Sequence, residues 1–159
     1  MDVIRIVWGS ATGPTAMAAY DAALADAGIE NYNLVTVSSV IPAGATVETV
    51  GTAPDLGPIG DRLTVVQAHA SLEGQGTAAA SLSWAREGSD GPGLFYEFGD
   101  AVDRETAQRR ALGGLEAGQS LREWDFEAPS VRTESVTGER GVWAGVVVAA
   151  VYGESESMF

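Results

Sequence analysis

Ser38 and Ser39 stand together at the end of the apolar stretch Asn33 to Val40, just ahead of Ile41-Pro42. Taken by themselves, paired serines there are a strand end entering a turn, which is what such pairs usually mark. Glu97 is the lone carboxylate of Gly93-Leu94-Phe95-Tyr96-Glu97-Phe98-Gly99. Strand alternation puts it on the side of Phe95, where apolar surroundings would keep a carboxyl protonated near neutrality and able to donate. The bland alternative is an outward-facing glutamate on an edge strand. Asp21 falls about 40° from Met17 and about 60° from Leu24 on a helical wheel, at the border of an apolar stripe. Such a carboxylate either forms a salt bridge or is kept for a cationic ligand, for which a guanidinium's planar fork is the natural match. His69 is the single imidazole and alternates with Leu63, Val65 and Gln67, a pattern that fits a structural histidine better than a Ser-His-Asp triad. Gly9 to Pro14 precedes a helix and reads as a tight turn, with anion binding at the helix start the weaker alternative.

The absences narrow the chemistry. All nine basic residues are Arg, against 22 acidic ones, for a net charge of −13; Lys and Cys do not occur. Pyridoxal-phosphate and Walker-type phosphate sites each need a lysine and are excluded. Disulfides, thiol catalysis and cysteine zinc sites go with the missing cysteines, so no metal site is expected. So acidic a surface repels nucleic acid. It suits molar salt, where screening acts over about 3 Å. Val142 to Tyr152, the longest apolar run at 11 residues, is too short for a bilayer-spanning helix of roughly 20. The acidic start Met1-Asp2 does not read as a signal peptide. A salt-rich cytoplasm is the expected setting.

These residues need a frame. Val3 to Trp8 reads as a strand and the small-residue stretch after it as a turn. A helix follows through Met17, Tyr20, Leu24 and Ala27, capped by Gly28. Asn33 to Val40 reads as a buried strand, and Pro42 to Pro58 as extended connection with one short strand at Thr46 to Val50. Arg62 to Leu72, Thr77 to Arg86 and Gly93 to Phe98 read as strands. Asp103 caps a second helix through Ala107, Ala111 and Leu115 towards Leu121, and strands at Glu123 to Glu134 and Gly141 to Tyr152 precede a frayed tail from Glu154. Two helices with six or seven strands give a single α+β layered domain.

Seen together, three blocks resemble the pyruvoyl-dependent arginine decarboxylase family. Asn33-Leu34-x-x-x-Ser38-Ser39-x-x-Pro42 matches the self-cleavage context of that family. Gly13 to Leu24 matches its Gly-x-Thr-x-x-x-Ala-Tyr/Phe-Asp-x-Ala-Leu helix, and Gly93 to Phe98 its Gly-Leu-x-x-Glu-aromatic strand. The departures are Ala43, where a second proline is common, and a short start before the first strand.

The resemblance implies a layered α/β/β/α sandwich of mostly antiparallel sheets, assembled as a homotrimer with sites between subunits. It implies that the Ser39 hydroxyl attacks the Ser38 carbonyl and that the chain divides into residues 1–38 and 39–159. The cofactor would be a covalent pyruvoyl group derived from Ser39, with no pyridoxal phosphate and no metal. Its ketone would condense with the amine of L-arginine, giving agmatine and carbon dioxide, a step towards polyamines. By the same resemblance Glu97 protonates the carbanion, Asn33 serves processing and positioning, Asp21 faces the guanidinium, Leu24 its methylene stem, and the Ser38 backbone lines the pocket. Glu97→Gln is then expected to cleave almost normally but turn over poorly. The alternatives are a decarboxylase of another amino acid, or a non-catalytic small-molecule binder or assembly subunit of the same fold that stays one intact chain.

Overall fold

The elements run β1 (Val3–Gly13), α1 (Ala16–Ala27), β2 (Asn33–Thr36), β3 (Val40–Ile41), β4 (Thr46–Gly51), β5 (Arg62–Glu73), β6 (Gly76–Arg86), β7 (Gly93–Asp100), α2 (Arg104–Gln119), β8 (Ser130–Gly138) and β9 (Trp143–Glu156). They are seen in a computed structural model that describes residues 2–159. One sheet has the order β2-β5-β9-β1-β4, with β1 parallel to β4 and β2 parallel to β5; the other, β3-β7-β6-β8, is antiparallel throughout.

The sheets pack face to face around Ile4, Ile6, Val66, Val146 and Val148 from the first and Ile41, Ala80, Leu82 and Phe95 from the second. Helix α1 covers the outer face of the first sheet through Ala23, Leu24 and Ala27 against Val7, Val65 and Val147. Helix α2 buries Ala107, Ala111 and Leu115 against the second. The result is the expected α/β/β/α sandwich. Strand β9 is buried from Ala144 to Val151, because it lies inside a sheet covered on both faces, and its sequence is accordingly almost continuously apolar.

The departures have local causes. β1 does not stop at Trp8 but continues to Gly13, its polar groups taken up by the ladder to β9, so no anion-binding loop exists there. Gly9, Gly13 and Gly145 let α1 lie almost on the sheet: a Cβ on Gly9 would collide with the Ala23 carbonyl, and one on Gly145 would come within 2.9 Å of the Ala19 backbone. That close approach also explains an alanine-rich buried face on α1. Thr15 caps the helix by accepting from the Ala18 N–H, and Gly28 ends it at φ +82°. Met17 is 72% exposed, so the buried stripe bypasses it, and Asp21 sits on the exposed side rather than at the stripe's border.

The Asn33 to Val40 stretch divides into two short strands, one in each sheet. Glu123 to Pro129 is not a strand; Trp124 and Phe126 pack beside Leu115 instead, and β8 begins only at Ser130. Helix α2 ends at Gln119, leaving Leu121 exposed, and β9 absorbs the first part of the supposed tail. Among the described residues nine strands therefore stand where six or seven are expected.

Candidate active site

The chain leaves β2 on the first sheet and enters β3 on the second, and the crossing is Val37-Ser38-Ser39. The Val37 N–H still donates to the Val65 carbonyl at 3.1 Å, whereas the Val40 N–H already turns back to the Ser38 carbonyl at 2.8 Å. That bond closes a tight turn with Ser39 at its centre. The Ser39 carbonyl accepts from the Phe95 N–H at 2.8 Å, and the Ser39 hydroxyl donates to Glu97 Oε2 at 3.0 Å.

Phe95 and Glu97 share the inward face of β7, as alternation requires, but their settings differ. Phe95 is buried in the inter-sheet core; Glu97, two residues on, emerges at the mouth of the sandwich and is exposed. The apolar burial expected around this carboxylate is absent in the single chain, where it partners the serine hydroxyl instead. Tyr152, near the end of β9, reaches across from the opposite sheet to donate its phenol to the Val40 carbonyl at 2.8 Å. Its ring lies 6.2 Å from that of Phe95 in an edge-on arrangement. Burial, with the nearby Glu97 carboxylate adding to it, pushes the Tyr152 phenol up to about 12.

The remaining expected site residues lie elsewhere on this chain. Asn33 begins β2 and spends its side-chain amide on the Gly60 carbonyl at 2.7 Å. An extended chain rises about 3.3 Å per residue, so the five residues from Asn33 to Ser38 can span up to about 16 Å. Leu24 is only 7% exposed and packs under α1. Asp21 is exposed and, among the described residues, forms no ion pair. His69 is exposed, its ring lies 5.0 Å from that of Tyr20 in a tilted arrangement, and partial desolvation lowers its pKa from the usual range. It is not part of this constellation. Among the described residues no cluster of His, Cys, Asp or Glu could hold a metal ion, and no helix is long and apolar enough to cross a membrane.

The valines of the crossing have no covering layer: Val35, Val37 and Val40 are each 37–42% exposed. A cleft of about 700 Å³ lies behind Tyr152, lined by Arg5, Pro42, Ala45 and Glu154 among others, but neither Ser39 nor Glu97 opens into it.

The three sequence blocks thus meet only in part. The serine pair and the Glu97 strand converge, while the α1 block stays apart. Over residues 3–157 the chain matches the model of the pyruvoyl-dependent arginine decarboxylase family. It belongs to that family. A pyruvoyl-dependent arginine decarboxylase of Halobacterium salinarum is 55% identical over 160 residues, spanning 100% of this chain and 99% of the relative. Namesakes from Pyrococcus horikoshii and Methanopyrus kandleri are 34% and 33% identical, over 90% and 92% of this chain and 90% and 93% of theirs. As a family member the chain carries its serine pair where a hydroxyl, a carboxylate and two backbone N–H groups meet. Sequence reading missed Tyr152, although a single hydroxyl at the inward-facing end of an otherwise apolar strand was a visible signal.

Proposed function

We propose that this chain cleaves itself between Ser38 and Ser39 and then decarboxylates L-arginine to agmatine and carbon dioxide. The observation that carries the reading is the Ser39 hydroxyl held on Glu97 inside a turn whose Ser38 carbonyl accepts the Val40 N–H. Glu97 takes the proton as Ser39 Oγ attacks the Ser38 carbonyl carbon. The Val40 N–H lies on the oxygen where negative charge then builds, in the manner of an oxyanion donor. Collapse breaks the C–N bond, leaving an ester on Ser39 Oγ and a free amine. Loss of the Ser39 α-proton expels the Ser38 carboxylate from Cβ, and water replaces the resulting imine nitrogen, releasing ammonia and leaving a ketone at position 39.

The residues present fit such a group. A side chain at 39 emerges at the mouth of the sandwich, with Glu97 beside it, and the Ser39 carbonyl is fixed by the Phe95 N–H. When formed, a pyruvoyl ketone supplies the electrophile that takes up the electrons released with carbon dioxide, which no side chain of this lysine-free protein can do. Glu97 is placed to return a proton to the substrate carbon.

The unpaired Asp21 carboxylate suits a guanidinium, but up to about 16 Å of extended chain separates Asn33 from Ser38, and Leu24 is buried in this chain. A trimer completes the pocket in this reading, with α1 and Asn33 of one subunit meeting the Ser39 turn of the next. The uncovered valines around the turn are the apolar surface such an interface buries. A charge of −13 with no lysine, and a Halobacterium relative, support a salt-rich cytoplasm. Intact-mass analysis tests the reading. Fragments of residues 1–38 and 39–159, a hydrazine-reactive carbonyl on the larger, and arginine-dependent release of carbon dioxide are expected; one intact, unreactive chain refutes it.

A further inference from the structure

We propose that Tyr152 is the positioning residue of the processing turn, its hydroxyl clamping the Val40 carbonyl so that the Val40 N–H stays aimed at Ser38. The inference rests on the self-cleavage reading above. Strand β3 has only two residues and Val40 is 42% exposed, so the ladder to β7 holds the turn weakly by itself. Three bonds compensate. The peptide joining Ser39 to Val40 gives its carbonyl to the Phe95 N–H and its own N–H to Ser38, and the next carbonyl goes to Tyr152, each at 2.8 Å. The first fixes one side of residue 40 and the third fixes the other, leaving its backbone no free rotation. Without the third, Val40 is free to rotate about its Cα–C bond, and the peptide whose N–H faces Ser38 is held on one side only, by the bond from Phe95 to the Ser39 carbonyl.

Tyr152 suits the task because it belongs to the other sheet. β9 is fully laddered between β1 and β5, so the phenol is anchored on the most buried strand of the fold. Its ring packs against Phe95, from the same strand that carries Glu97, so one contact aligns the clamp with the base. The high phenol value keeps the hydroxyl a donor over the whole working range of pH. The clamp also outlives the cut: after cleavage residue 39 is joined to the protein only through Val40, whose carbonyl it still holds.

The test follows self-cleavage by intact mass after refolding, in wild type, Tyr152→Phe and a control, Val147→Ala, buried under α1 and remote from the turn. Folding of each is read separately as Tm in the Ser39→Ala background, which cannot cleave. Tyr152→Phe is expected to cleave about five- to tenfold more slowly than wild type, as loss of one hydrogen bond implies. Val147→Ala should keep the wild-type rate despite a lower Tm. Once fully cleaved, Tyr152→Phe should show reduced kcat at unchanged KM for arginine, because the phenol touches the Val40 peptide and not the substrate. Phe95→Leu, which keeps the phenol and the backbone N–H but removes the ring that aims it, provides a second arm should Tyr152→Phe not fold, with an expected slowing of two- to threefold. Wild-type rates in Tyr152→Phe, or in Phe95→Leu where the former does not fold, overturn the assignment. A wild type that never cleaves instead overturns the reading on which it rests.

Discussion

Replacing Glu97 by Gln isolates the charge on the group that holds Ser39. The variant keeps an oxygen acceptor in nearly the same place, so the turn survives and only the proton affinity changes. A hydrogen bond to a charged acceptor contributes about 1.5–3 kcal/mol and a neutral one about 0.5–1.5. The 3.0 Å contact and the exposure of Glu97 argue for the lower end of the difference, about 1–1.5 kcal/mol. At about 1.4 kcal/mol per decade that is roughly tenfold in the cleavage rate, and loss of a general base pushes it further. This revises the expectation that Glu97→Gln cleaves almost normally, which treated the residue only as a proton donor to substrate. The assay is the fraction of fragment 39–159 against time after refolding, by intact mass. Glu97→Asp, which keeps a carboxylate on a shorter stem, should fall between wild type and Glu97→Gln. A Glu97→Gln rate within twofold of wild type refutes the base assignment.

In alkali the tyrosines decide stability, because no lysine or cysteine titrates there. Tyr152 has a folded value near 12 against about 10 unfolded, so between those values the unfolded chain has lost a proton that the folded one keeps, and stability falls as pH rises. Tyr20, also raised by burial, acts in the same direction. The fall in Tm from pH 10 to 12 should therefore be shallower, not absent, in Tyr152→Phe. Gly145→Ala forces a methyl to within 2.9 Å of the α1 backbone and should cost about 1–3 kcal/mol, a drop of several degrees in Tm by calorimetry. Asp21→Asn should raise KM for arginine about thirtyfold, from loss of roughly 2 kcal/mol in a desolvated pair, while cleavage proceeds at the wild-type rate; unchanged steady-state kinetics would remove Asp21 from the guanidinium site. Tm should climb steeply between 0.1 and 1 M KCl as the net charge of −13 is screened, and a flat profile would contradict adaptation to salt.

What the sequence made legible follows from where local rules decide. α1, β5, β6 and β7 emerge close to their expected bounds because caps, glycines and alternation act within each segment. β1 was cut short because Gly9 and Gly13 look like turn residues, and only the helix lying across them explains their use in a strand. Trp124 and Phe126 imitate strand alternation two residues apart, yet pack beside Leu115. At the site, the pairing of Ser39 with Glu97 was readable as two motifs and not as a contact. The Tyr152 clamp, 112 positions from its acceptor, depends on sheet order that no local pattern encodes.

The strand order β2-β5-β9-β1-β4 has one more consequence for a molecule broken after Ser38. The smaller piece would contribute β1 and β2, the larger β4, β5 and β9, and β1 would remain threaded between β9 and β4 with α1 locked over it. Neither fragment could leave without stripping an inner strand from a sheet covered on both sides. The nicked protein should therefore melt as one unit, and its halves should come apart only in denaturant, never by dilution.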